Sequence, residues 1–136
     1  MTALLDTGFL LAVIDEGDGL HDMCVAALQN ENSPLLPDVV LPELAYLILR
    51  EMGYPTLIRF LRAVSAGELA VTPSTTVDLN RAADLLDKYA DSKVDFVDCV
   101  IVALAERLNI NRVLTVDRRH FGLFRPKHCD YFEILP

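Results

Sequence analysis

Short apolar runs alternate with longer helical stretches along this chain, and the first run, Ala3-Leu4-Leu5, ends on a carboxylate, Asp6. An uninterrupted apolar run is what a strand buried on both faces needs. Thr7 to Ile14 reads as a helix leading away from Asp6, with Thr7 as its candidate cap. Asp15-Glu16-Gly17-Asp18-Gly19 is a polar break, and His21 to Asn30 a short helix closed by Asn32-Ser33-Pro34. Leu35 to Val40 reads as extended; a helix follows from Pro42, a residue suited to the first helical position, to about Met52. Gly53-Tyr54-Pro55 interrupts, and Thr56 to Ala66 resumes with Leu57, Phe60, Leu61 and Val64 spaced for one buried face. Leu69 to Thr72 is a short strand, and Pro73-Ser74-Thr75 opens a helix reaching about Ala90. Residues 95–108 form a central apolar helix, 112–116 a strand, and 131–135 a last strand. Strands separated by helices predict an α/β domain of three layers, with a mostly parallel sheet between two layers of helix.

The acidic residues gain meaning from this pattern. Asp6 and Asp117 follow buried strands, and open α/β sheets bind their ligands at the carboxyl ends of strands. Glu43 falls in the first turn of its helix, and Asp98 in the first turn of the central one, with Asp95 one turn earlier on about the same face. Taken singly, Asp95 and Asp98 read equally as a capping pair, Glu43 as a partner of the helix dipole, and Asp117 as a turn residue. Asp6 resists such a reading, because a carboxylate placed directly after a buried strand is costly unless paired or bound. Four positions pointing to one place make the case for a shared acidic site.

Composition sets limits on this picture. At 136 residues, 52% hydrophobic and 24% charged, the chain fits one globular domain over residues 1–136. No apolar run nears the roughly 18 residues of a membrane span. Asp6 interrupts the first apolar stretch, which no basic residue precedes, so no secretory signal is expected. Cys24, Cys99 and Cys129 are odd in number and scattered, as free thiols in a reducing cytoplasm would be. A net charge of −8 opposes nucleic-acid binding overall, yet Arg118, Arg119, Arg125 and Lys127, with His120 and His128, crowd the segment after Asp117. That segment reads either as a phosphate-holding ridge beside the acids or as solvated loop charge. The three histidines read as surface or packing residues, since no spacing gathers them.

The strings Leu4-Leu5-Asp6-Thr7, Pro42-Glu43-Leu44, Phe96-Val97-Asp98-Cys99-Val100-Ile101-Val102-Ala103-Leu104-Ala105 and Leu114-Thr115-Val116-Asp117-Arg118-Arg119-His120-Phe121 together resemble the PIN-domain nucleases, most of all the VapC-type toxins of bacterial toxin–antitoxin pairs. The resemblance covers essentially the whole chain. It implies a Mg²⁺- or Mn²⁺-dependent ribonuclease, dimeric, held silent by an antitoxin, with Asp6, Glu43, Asp98 and Asp117 as the acidic set and Asp95 a looser fit. Cys99 stands where the family commonly has a small Ala.

The chemistry also follows without the family. Two carboxylates about 4 Å apart repel by roughly 4 kcal/mol at an effective dielectric of 20, so a converging set needs a cation or protons. Oxygen ligands with no Cys or His set beside them favour Mg²⁺ or Mn²⁺ over zinc. One or two such ions would activate water and stabilise charge on a phosphodiester. Thr7 and Thr115 would hold carboxylates or waters in place, and Arg118, Arg119, Arg125 and Lys127 would hold RNA. Rival readings fail on pattern. The Asp6-Thr7-Gly8 string matches retroviral-type aspartic proteases, but that fold is almost all β. A haloacid dehalogenase-type phosphatase needs Asp where Gly8 stands, and a receiver domain needs a lysine that has no counterpart here. An RNA-processing role without an antitoxin, or a partner-binding domain without catalysis, stays open at this point.

Overall fold

The structure, a computed structural model, describes residues 2–136. Its centre is a sheet of five strands, β1 (Leu4–Leu5), β2 (Leu35–Pro37), β3 (Ala70–Thr72), β4 (Arg112–Leu114) and β5 (Glu133–Leu135), in the order β3-β2-β1-β4-β5. Every neighbouring pair is parallel, so the expected mostly parallel sheet is wholly parallel. Leu4 and Leu5 lie fully buried in the middle, which explains why the opening run has no polar alternation.

Among the described residues seven helices connect the strands: α1 (Thr7–Ile14), α2 (His21–Gln29), α3 (Val40–Met52), α4 (Tyr54–Ser65), α5 (Thr76–Lys88), α6 (Phe96–Leu108) and α7 (Arg118–Leu123), with a 3₁₀ turn at Ala90–Ser92. The chain first steps from β1 outward to β2 and β3, then returns past β1 to β4 and β5. Right-handed crossovers in opposite directions put their helices on opposite faces. Accordingly α1 packs on α2 and α3, and α3 on α4, while α5 packs on α6. The layers are thus α/β/α, and α6, buried from Asp98 through Ala105, is apolar on all sides because it lies between sheet and α5.

Some boundaries differ from the sequence expectation. The second strand stops at Pro37, and α3 begins at Val40, placing Pro42 within the first turn and not at its first position. Proline is tolerated there because first-turn N–H groups have no helical partner. Asp38 causes the early bend: its backbone N–H pairs with Thr72 O, and its carboxylate accepts from the Ser74 amide and hydroxyl. α4 begins at Tyr54, two residues before the expected Thr56. Residues 118–123, to which the sequence pattern assigns no element, form α7, seated by buried Phe121 and Phe124 in an edge-to-face aromatic group with Tyr89 and Phe132. No helix among the described residues is long and apolar enough to cross a membrane.

Candidate metal centre

Between β1 and β4 the strand order reverses, and open sheets form their ligand crevice at the carboxyl side of such a switch. Asp6 leaves β1 there in extended conformation and caps α1, so the cap is Asp6 and not the expected Thr7. One Asp6 oxygen accepts the Thr7 amide at 2.8 Å, and the other accepts the Thr115 hydroxyl at 2.7 Å. The Thr115 hydroxyl in turn accepts the Asp117 amide at 2.9 Å, tying the ends of both strands together. Thr7 acts through its backbone; its hydroxyl is buried and bonds to nothing among the described residues.

Asp98 is delivered from the other layer. Asp95 caps α6 by accepting the Asp98 amide at 2.8 Å, and this turn aims the Asp98 side chain, 6% exposed, into the crevice. Asp117 caps α7 by accepting the His120 amide at 3.0 Å. Charge shows that these acids converge. Burial, offset in part by the Thr115 and Thr7 hydrogen bonds and reinforced by Asp95 and Asp117, pushes Asp6 up to about 6. Burial, with the charges of Asp6, Asp95 and Asp117 added, pushes Asp98 up to about 9. Its Oδ2 is buried without a hydrogen-bond partner. Such a cluster holds protons in the absence of a cation and is complementary to one.

The charges of Asp6, Asp95, Asp98 and Asp117 meet in the crevice. Glu43, in the first turn of α3, is exposed, with no hydrogen bond or ion pair among the described residues. The main charges acting on Asp6 and Asp98 do not include it. His120, which the sequence pattern reads as a surface or packing residue, stands inside the cluster, with Nδ1 3.0 Å from Asp117 Oδ2 and 3.3 Å from Asp98 Oδ2. Asp98, Asp117 and His120 each offer one ligand atom, all within 4.8 Å of one another. The expectation of a site without nearby histidine is therefore corrected. The one available signal is the i, i+3 spacing of Asp117 and His120, which matters only once residues 118–123 are helical.

The basic ridge is also divided. Arg118 and Arg119 open α7 beside Asp117, although the Arg118 guanidinium is engaged by Pro136 O. Arg125 folds back on the carbonyls of Gly122 and Phe124 and closes α7. Lys127 lies near the far end of α6, where its amide donates to Glu106; a rise of about 1.5 Å per residue puts Glu106 roughly 12 Å along the axis from Asp98. There it lines a cavity of about 510 Å³ with Glu106, Arg107 and His128, to which Asp6, Asp95, Asp98 and Asp117 do not contribute. All three cysteines are free, and burial with the Asp98 and Asp95 charges pushes the Cys99 thiol up to about 12, leaving it inert.

Known proteins share this fold. The family model described as PIN domain matches residues 3–123. Ribonuclease VapC26 of Mycobacterium tuberculosis is 28% identical over 134 residues, covering 98% of this chain and 99% of that protein. Of solved structures, VapC20 of Mycobacterium tuberculosis, described as a sarcin-ricin loop cleaving toxin, aligns over 100% of both chains with a TM-score of 0.82 at 19% identity. VapBC2 from Rickettsia felis, bound to a DNA fragment from their promoter, aligns over 100% of both chains with a TM-score of 0.73 at 16% identity. At these identities the structural likeness is one of fold.

Proposed function

The chain belongs to the PIN-domain family, and from that premise we propose that it is a divalent-metal-dependent endoribonuclease acting as the toxin of a toxin–antitoxin pair. The observation that carries this reading is Asp98: a buried carboxylate with an unpartnered oxygen, pressed by three other acids at the sheet's switch point. The names of the relatives, a VapC ribonuclease and VapBC assemblies, supply the substrate class and the partner class.

Asp6, Asp98 and Asp117 hold Mg²⁺ or Mn²⁺, directly or through water, and Asp95 adds negative charge from the rim. Glu43, at the head of α3, is a further ligand or orients the water. When bound, the cation supplies an acidified water and neutralises charge on the phosphodiester. Thr115 fixes the orientation of Asp6 and the start of the Asp117 turn, so that the acids are set before substrate arrives. Arg118 and Arg119 follow Asp117 directly at the start of α7 and attract the RNA backbone. Arg125 and Lys127, placed elsewhere, contribute to phosphate binding weakly or not at all.

The antitoxin reading draws on two features. The chain's charge of −8 suits a basic partner segment. Tyr46, Tyr54, Ile58 and Leu61 are large apolar residues exposed on α3 and α4, giving surface for an antitoxin helix and for pairing of two copies.

The deciding experiment is cleavage of total RNA by the purified protein with Mg²⁺ or Mn²⁺ against EDTA, with Asp98→Asn as control. Cutting that needs both metal and Asp98 is the expected result. A folded, partner-free protein that cuts under no condition overturns the nuclease reading in favour of a binding role for the crevice.

A further inference from the structure

His21 and His128 are packing residues, each with a ring nitrogen against a backbone carbonyl, Ala12 O at 2.9 Å and Ile110 O at 2.7 Å. His120 has no such bond. Its Nε2 is buried with no partner among the described residues, its amide is held by Asp117, and the phenyl ring of Phe121 anchors α7 in the core. The Nδ1 edge is thereby fixed in the crevice between Asp98 and Asp117.

We propose that His120 is itself a metal ligand, through Nδ1, so that the centre is a mixed nitrogen–oxygen site and not an all-oxygen one. This rests on the metal-centre reading above and assigns it a further ligand. Two observations carry it. First, Asp98 Oδ2 is buried and makes no hydrogen bond although Nδ1 lies 3.3 Å away, so the ring nitrogen is close but out of line. A buried carboxyl oxygen left so requires another partner. Second, the separations fit a shared ion. Ligand atoms about 2.1 Å from one cation and at right angles around it stand roughly 3.0 Å apart, and the observed distances are 3.0 and 3.3 Å. Right-angled ligands also point past one another toward the ion, which accounts for the poor alignment.

An imidazole in the ligand set shifts cation preference. Mg²⁺ favours oxygen ligands, whereas Mn²⁺ and the later divalent ions gain from nitrogen in the order of their general affinities. An imidazole ligand should therefore raise the centre's preference for Mn²⁺ over Mg²⁺ above what the carboxylates alone give.

The test is pulsed electron paramagnetic resonance of the Mn²⁺-loaded protein, prepared with ¹⁵N-histidine, together with calorimetric titration of Mn²⁺ and Mg²⁺ into wild type and His120→Ala. The expected result is a histidine-nitrogen coupling to Mn²⁺ that His120→Ala removes, with Mn²⁺ affinity falling about tenfold and Mg²⁺ affinity changing less than about threefold. Bound Mn²⁺ without nitrogen coupling, or equal weakening of both ions in the variant, overturns the ligand assignment and leaves the metal centre standing. No binding of either ion to wild type overturns the metal centre itself. The spectrum of wild type decides the question even if His120→Ala does not fold.

Discussion

The Thr115 hydroxyl donates to Asp6 Oδ2 at 2.7 Å across 109 positions of sequence, and it is the one side-chain bond joining β1's carboxylate to the end of β4 among the described residues. Its loss should leave the fold intact, since Thr115 is small and buried, while freeing Asp6 to turn. Outer-shell partners of this kind typically carry 10- to 100-fold in metal affinity or activity. Thr115→Val should therefore lower RNA cleavage by about tenfold or more, at a stability cost of about 1–3 kcal/mol for the two buried hydrogen bonds lost, and Thr115→Ser should restore most of both. Equal activity in all three proteins would remove Thr115 from the site.

Asp6→Asn should abolish cleavage and stabilise the metal-free protein. Burial raises this carboxyl to about 6, so ionising it at pH 8 works against the fold. Removing the charge should add about 1–3 kcal/mol at pH 8, read from urea midpoints in EDTA. A destabilised variant would mean that the carboxylate is a net structural asset.

The pH dependence has a definite sign. Asp6 and Asp98 keep their protons up to about 6 and about 9 in the native state, against an ordinary aspartate value of 3.8. Over that interval the native protein binds more protons than the unfolded chain, so metal-free stability is greatest at the acid end and falls as pH rises. The slope is at most about 1.4 kcal/mol per pH unit for each proton. The urea midpoint in EDTA should drop from pH 5.5 to pH 8.5, Asp98→Asn should flatten the upper part of that fall, and saturating Mg²⁺ should narrow it. A flat profile in EDTA would contradict the strained acidic cluster.

Away from the crevice, Asp78 accepts Arg107 at 2.9 Å and closes a capping box with Thr75 at the head of α5. Burial alone would raise this carboxyl, but Arg107 and Thr75 hold it below the usual range. Asp78→Ala breaks the ion pair and the cap together, at a cost of about 2–4 kcal/mol. Specific activity of the folded fraction should be unchanged. A selective loss of cleavage without loss of stability would point to a link between the two ends of α6.

Replacing Arg118 and Arg119 together by Ala should weaken RNA binding and reduce the slope of log affinity against log salt by about one for each phosphate that the protein no longer neutralises. Lys127→Ala, at the remote end of α6, should leave the slope unchanged. The reverse outcome would place the RNA path over α5 and α6.

What can be seen in the sequence and what cannot divide along one physical line. Asp6, Asp98 and Asp117 are legible because buried strands and an all-apolar helix leave unbroken runs, and a carboxylate at the end of such a run stands out. α7 is not, because residues 118–123 hold two arginines and a histidine, and what seats them is Phe121 and Phe124 packing on Tyr89 and Phe132, neighbours that no local window contains. His120 escapes notice for the same reason. Lys127 is misplaced by any reading that equates nearness in the chain with nearness in space, whereas residues 124–128 carry the backbone to the opposite end of α6.

The strand order has a consequence for synthesis. β1 is made first but gains its second neighbour only when β4 has emerged, and α7, with Asp117 and His120, comes after that. No piece of the chain that stops before Asp117 can assemble the crevice, and pairings this distant in sequence form slowly. Synthesis therefore completes the acidic cluster only when β4 and α7 join β1, and a product truncated before them lacks Asp117 and His120.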